Sequence, residues 1–165
     1  MPIVRPATLE DCAFIAPRLR QADLTEMEAL DGGDPYEGIV ESFRASPIAN
    51  VMEHNGEPFA IYGGAPDDLC SDSTVGISWL LGTDALKDHS VWFIRNCRDL
   101  LDEVHEHFPT LHNYADVRNT VHIRWLRWSG FTMGELVPRN GTHFVHHWRT
   151  KNVHRGSSRN RLYRR

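Results

Sequence analysis

The residues of this 165-residue chain with chemistry to offer are ten histidines, three cysteines, the polar pair His122 and Arg124, and an arginine-rich C-terminal run. Spacing argues against a metal centre. His143 and His147 lie four apart on an alternating stretch, so they share a face but stand over ~13 Å apart at strand rise, too far to hold one ion. His105 and His107 point to different sides of a helical stretch, and His146 and His147 to opposite faces of a strand. The histidines read as ordinary surface or satisfied groups, and no metal is expected. Cys12, Cys70 and Cys97 form no C-x-x-C pair, and their odd count argues against a disulfide framework. Cys12 and Cys97 fall on apolar helix faces as packing residues, whereas Cys70 sits in a polar loop without a nucleophile signature. Ser129 precedes Gly130 outside any G-x-S-x-G context, which leaves a hydrolase without support. His122 and Arg124 read as a solvated helix face, with a ligand or partner contact as the alternative. No residue pattern marks a catalytic group.

Charge is unevenly placed. The net charge is -4, yet Lys151, Arg155, Arg159, Arg161, Arg164 and Arg165 put six positive charges after residue 150 with no acid among them. That leaves 12 of the 18 basic residues against 22 acidic ones in the body, a balance of -10. An acidic globule therefore carries a basic arm. With Leu162 and Tyr163 among its arginines, the arm can stay an unengaged, solvated tail, contact phosphates through charge and a stacking ring, or dock on an acidic protein surface and fold there. Protein docking is preferred, because the acidic body repels nucleic acid. No run approaches a membrane span and no signal region opens the chain, so an intracellular setting is expected.

The elements that must position these groups follow from local signals. A short strand opens the chain, and Thr8 with Asp11 three residues on caps a helix through Cys12, Ile15 and Leu19 that Pro17 shortens. Ala22 to Leu30 is acidic and helical, Gly32-Gly33 breaks it, and Asp34-Pro35 starts a helix to about Arg44. Asn55-Gly56 predicts a hairpin between Ala49–His54 and Pro58–Tyr62. Gly63 to Asp72 reads as a loop and Val75 to Leu81 as a strand. Phe93, Cys97, Leu100, Leu101, Val104 and Phe108 give Ser90 to Phe108 one apolar helical face. Leu111–Val117, Phe131–Leu136 and Thr142–Trp148 read as strands. Between the first two, Val121, Trp125 and Trp128 with Ile123 and Leu126 predict an amphipathic helix, capped by Asn119 and closed by Gly130. Trp79, Trp92, Trp125 and Trp128 read as core or interface groups.

A strand feeding a capped helix that exits in Gly-Phe resembles the fifth-strand and fourth-helix element of GCN5-related N-acetyltransferases. So does the order β-α-α-β-β-β-α-β-α-β-β, and the opening IVRPATLEDC. The resemblance covers most of residues 1–150 and implies a single-domain α/β fold of GNAT-like type, a mixed sheet flanked by helices, followed by an extended basic arm at 151–165. In that family a Gly-rich turn after the central strand holds the coenzyme A pyrophosphate at a helix N-terminus. The equivalent segment here, Leu81 to Ser90, has one glycine and two acids, Asp84 and Asp88, each repelling a phosphate by ~1 kcal/mol. On the fourth helix Asn119, Gly130 and Phe131 match the family pattern. His122 replaces its small residue, and Leu126 replaces the tyrosine that protonates the leaving thiolate.

A second resemblance runs over about residues 75–148. WLLGTDAL, FIRNCRDLL and the series Asn113, Asp116, Asn119, His122, Arg124, Trp125, Leu126, Trp128, Gly130, Phe131 are similar to a family of small proteins in T7-like podophages. That family is associated with virion morphogenesis and internal virion proteins. The resemblance implies a non-catalytic phage protein in virion assembly or in the virion, located in the virion or the host cytoplasm. Its partners would be other phage virion proteins, or further copies of itself, met through Lys151, Arg155, Arg159, Arg161, Leu162, Tyr163, Arg164 and Arg165. No cofactor is expected on that reading. The alternative is an N-acyltransferase using acetyl-coenzyme A, with Trp79, Leu80 and Leu81 on the pantetheine arm, Leu86 to Ser90 near the pyrophosphate, and Asn119 touching the cofactor. A third reading is a phage protein that binds a host factor through an acidic, nucleic-acid-like face.

Overall fold

The computed structural model describes residues 1–30 and 32–151. The elements follow in the order β1 (Ile3–Pro6), α1 (Leu9–Ile15), α2 (Gln21–Leu30), α3 (Pro35–Ala45), β2 (Ile48–His54), β3 (Glu57–Pro66), β4 (Val75–Gly82), α4 (Ser90–His107), β5 (Thr110–Asp116), α5 (Thr120–Trp128), β6 (Thr132–Arg139) and β7 (Thr142–Thr150). The strands make one sheet ordered β1-β2-β3-β4-β5-β7-β6. Every neighbouring pair is antiparallel except β4 with β5, which is parallel.

Local chemistry sets the boundaries. Thr8 and Asp11 form a reciprocal capping box at α1, and Pro17 turns the chain into a 3-10 turn at Ala16–Arg18. Asp34 then accepts the N–H groups of Tyr36 and Glu37 to start α3. Three helices therefore separate β1 from β2, as the three helical stretches read there imply, where the family-like order has two. Asn55 and Gly56 take φ of +53° and +83°, the left-handed pair that a tight hairpin needs.

Two hydrophobic clusters face the sheet from opposite sides. Cys12, Ile15, Ile39 and Val40 of α1 and α3 pack on Val51 and Ile61, with Trp79 and Leu81 of β4 alongside. Phe93, Cys97, Leu100 and Val104 of α4 join Leu126 of α5, Met52, Leu111 and Val145 on the other face. Cys12 and Cys97 are buried, as their helix positions required.

Two expectations fail. The segment from Gly63 is not a loop until after Pro66, because β3 continues through it. Its glycines serve close packing: a Cβ at Gly63 would meet the Ile48 carbonyl and the Trp79 indole, and one at Gly64 would meet Val104 and Phe108. On α5 the stripe narrows to Leu126, at 1% exposure, with Ile123 and Trp125 half-buried. Val121 and Trp128 are 65% and 45% exposed, because this nine-residue helix turns only one side to the core. Among the described residues no helix is long and apolar enough to cross a membrane.

Lys151 is exposed, and its N–H donates to the Pro109 carbonyl at 2.8 Å. Arg155, Arg159, Arg161, Leu162, Tyr163, Arg164 and Arg165 lie outside the described residues.

Candidate functional site

The parallel pair β4–β5 is short. Val75, Gly76 and Ile77 pair with Thr110, Leu111 and His112, and beyond them the two strands part. Each keeps its other neighbour: β4 pairs with β3 as far as Gly82, and β5 with β7 as far as Asp116. Asn113 spans the start of the gap, its side-chain amide donating to the Ser78 carbonyl at 2.8 Å. At the far end the Asp23 carboxylate accepts the Gly82 N–H at 2.8 Å, and the Gly82 carbonyl accepts the Arg20 N–H at 2.9 Å. Strand alternation places the Leu80 N–H and carbonyl on the same open edge as those of Ser78 and Gly82.

A slot of about 450 Å³ occupies this wedge and draws walls from both faces of the sheet. Trp79, Leu80 and Leu81 of β4 line it with Phe93, Trp125, Leu126 and Phe131. Its polar walls come from Glu26 of α2, Glu41 of α3, Asn113, His122 and His147. His122 stacks on Trp125 and stands 4.0 Å from the Glu26 carboxylate. It is thus part of the slot and not of a solvated face, whereas Arg124 is exposed. His147 is 3% exposed, packs edge-on against Phe131, and has no hydrogen-bond partner at Nδ1. Burial, reinforced by His122, pushes its pKa down to about 3, so the ring is neutral. His105 is likewise buried, its Nδ1 on the Phe108 carbonyl and its Nε2 unpartnered. The view of the histidines as surface or satisfied groups therefore fails at His105 and His147, because each is carried inward by the element that holds it.

His146 lies on the opposite face, as alternation required, with Nε2 3.3 Å from His112 Nδ1, while His112 Nε2 reaches Asp67 at 3.0 Å. Among the described residues no group of three or more His, Cys, Asp or Glu has the geometry to hold a metal ion.

The turn between β4 and α4 is where an anion would be held. Six of the eight N–H groups from Thr83 to Ser90 are occupied: Thr83 donates to Phe59, Leu86 to Thr83, Lys87 to Asp84, Asp88 and His89 to Ala85, and Ser90 to Lys87. A 3-10 turn at Asp84–Leu86 makes most of these bonds, and a Cβ at Gly82 would crowd Leu86. Asp84 is exposed and paired with Lys87 at 3.0 Å. With six N–H groups turned inward and the Asp84 and Asp88 carboxylates exposed on it, the turn fits a pyrophosphate poorly.

No family model matches the chain. It is 30% identical over 141 residues to the "Probable scaffold protein gp13" of Escherichia phage T7, covering 86% of this chain and 92% of that protein. The chain belongs to the gp13 family. Solved structures give the fold of this gp13-family protein. Ard1 from Thermoplasma volcanium superposes with a TM-score of 0.68 at 17% identity, covering 90% of this chain and 97% of that one. The aminoglycoside acetyltransferase AAC(6')-Ib in complex with coenzyme A gives 0.67 at 17% identity, with coverage of 92% and 95%. YncA from Salmonella typhimurium, a putative acetyltransferase with acetyl-CoA, gives 0.66 at 14% identity, with coverage of 94% and 96%. The gp13-family chain thus has the mixed α/β GNAT fold.

The wedge brings Trp79, Leu80 and Leu81 together on one slot. Leu86 and Ser90 do not line it, and Asn119 borders a separate cavity of about 190 Å³ with Gln21, Thr25 and Arg118. Asn119 instead caps α5, accepting the His122 N–H at 3.2 Å. Leu126, at the tyrosine position of the acetyltransferase pattern, lines the slot with a side chain that carries no proton to give. Sequence reasoning missed Glu26, Glu41, Asn113 and His147, which come from four elements and share no local spacing.

Proposed function

We propose that this protein is a non-catalytic GNAT-fold phage protein that acts in virion assembly or as a virion component. On this reading residues 1–150 form a rigid domain and residues 151–165 dock other virion proteins in the host cell or the virion. The observation that carries it is the turn after β4, where six N–H groups are already bonded within the chain and Asp84 stands exposed while the wedge beside it stays open. The relative named as a probable scaffold protein supports the assembly role. Leu126 supports the absence of acetyl transfer, since it stands at the tyrosine position of the acetyltransferase pattern and has no proton to give. The -10 body and the basic arm support protein contacts over nucleic acid. Truncation after Thr150 is expected to leave the fold intact and to abolish co-purification with virion proteins from infected cells. Unchanged co-purification of the truncated protein would refute the docking role.

One observation favours a second reading, an acetyl-coenzyme A-dependent N-acyltransferase. The slot sits between β4 and β5, and two of the three structural neighbours named above were solved with coenzyme A or acetyl-CoA. Trp79, Leu80 and Leu81 would then meet the pantetheine arm.

A further inference from the structure

The slot has the make-up of a recognition site. Its walls are mainly rings and aliphatic chains, among them Trp79, Tyr114 and Trp125. Besides Asp23, which Arg20 and the Gly82 N–H already hold, two carboxylates border it: Glu26, 15% exposed at its side chain, and Glu41, exposed and without an ion-pair partner among the described residues. His147, at 3% exposure, also lines the slot. The occupant that fits has an apolar, ring-bearing centre and flanking positive charge.

One segment of the chain has that composition. Arg161-Leu162-Tyr163-Arg164-Arg165 sets an aliphatic and a phenolic side chain among three arginines. The place where the arm departs says which slot it meets. Lys151 is tied to Pro109, beside the paired end of β5, whereas the slot opens past His112 toward the other end. The twelve steps from Lys151 to Tyr163 reach up to ~40 Å when extended, enough to cross to a neighbour. The same reach covers the arm's own slot; with the arm leaving one end of a copy and the slot opening at the other, a contact between copies is head-to-tail and propagates into rings or open arrays.

We propose that Leu162 and Tyr163 of one copy enter the slot of a second copy, with the flanking arginines against Glu26 and Glu41. The contact rests on the docking role given above to the arm and names its first partner as another copy of this chain.

Sedimentation velocity on the full-length protein tests it. Association should rise with protein concentration and weaken with salt. It should drop at least ~tenfold both in Glu26→Gln/Glu41→Gln and in Leu162→Ser/Tyr163→Ser, the latter leaving the body untouched. Mixing these two variants should restore one contact per pair, because the first keeps its arm and the second its slot. A chain that stays monomeric at every concentration, or a mixture that does not associate, overturns the proposal. The two ideas fail separately. Absent self-association with virion co-purification still lost on truncation removes this contact and keeps the assembly role. Self-association sensitive to the slot variants with unchanged co-purification does the reverse.

Discussion

The Asp23 carboxylate accepts the Gly82 N–H at 2.8 Å, joining α2 to the last residue of β4 across 59 positions of sequence. The same carboxylate takes two hydrogen bonds from the Arg20 guanidinium, at 2.8 Å each, and is 4% exposed. Through it α2 is fixed against the strand edge, and with α2 the Glu26 and Met27 wall of the slot.

Removing that carboxylate leaves a buried N–H and a guanidinium without their acceptor. Asp23→Ala should lower the unfolding free energy by about 3 kcal/mol, and Asp23→Asn by less. Urea denaturation measures both, and a loss for Asp23→Ala under about 1 kcal/mol would contradict the role given to this contact.

His147 makes stability depend on pH. Its pKa is about 3 in the folded chain, chiefly through burial, against 6.5 for the free side chain. Between those values the unfolded chain binds a proton that the folded chain refuses. Stability therefore falls as pH drops below 6.5, by up to about 1.4 kcal/mol per pH unit from this group. His147→Phe should show a shallower decline than the wild type over the same range. Parallel declines in thermal melts would place the acid sensitivity elsewhere.

Acetyl-coenzyme A should bind weakly. The turn after β4 has six of its N–H groups turned inward and carries two exposed carboxylates, so calorimetry at low salt should show no saturable heat at micromolar ligand. Stoichiometric micromolar binding would instead favour the acyltransferase reading, and Trp79→Ala would be the next variant.

The glycines of β3 and β4 should resist enlargement. A Cβ at Gly76 would run into the Phe108 ring, and one at Gly64 into Val104. Each Gly→Ala change should cost about 1–3 kcal/mol through overpacking. Gly56, with open space around its Cβ, should lose less, and only through its φ of +83°. Denaturation midpoints that rank Gly56→Ala below both others would reverse this assignment.

Much of the scaffold was legible because its determinants are local. Thr8 with Asp11, Asn55-Gly56 and the spacing of Phe93, Cys97, Leu100 and Val104 each announce their element within a few residues. Gly63 and Gly64 misled for the opposite reason, since what they accommodate, Trp79 and Phe108, lies far along the chain. The slot was less legible still. Trp79 to Leu81 could be placed on a strand, but the parting of β4 from β5 is a property of the sheet. The period of α5 gives the angle between His122 and Arg124 without saying which one meets α2, and only the packed structure sets His122 beside Glu26.

The self-bonded turn between β4 and α4 also frees the protein from its surroundings. Where a phosphate completes such a turn, part of the folding free energy is supplied by mass action and rises and falls with the ligand pool. Here Thr83, Leu86, Lys87 and Asp88 find their acceptors within the chain itself. This corner should keep its shape whether the infected cell is rich in coenzyme A or has exhausted it.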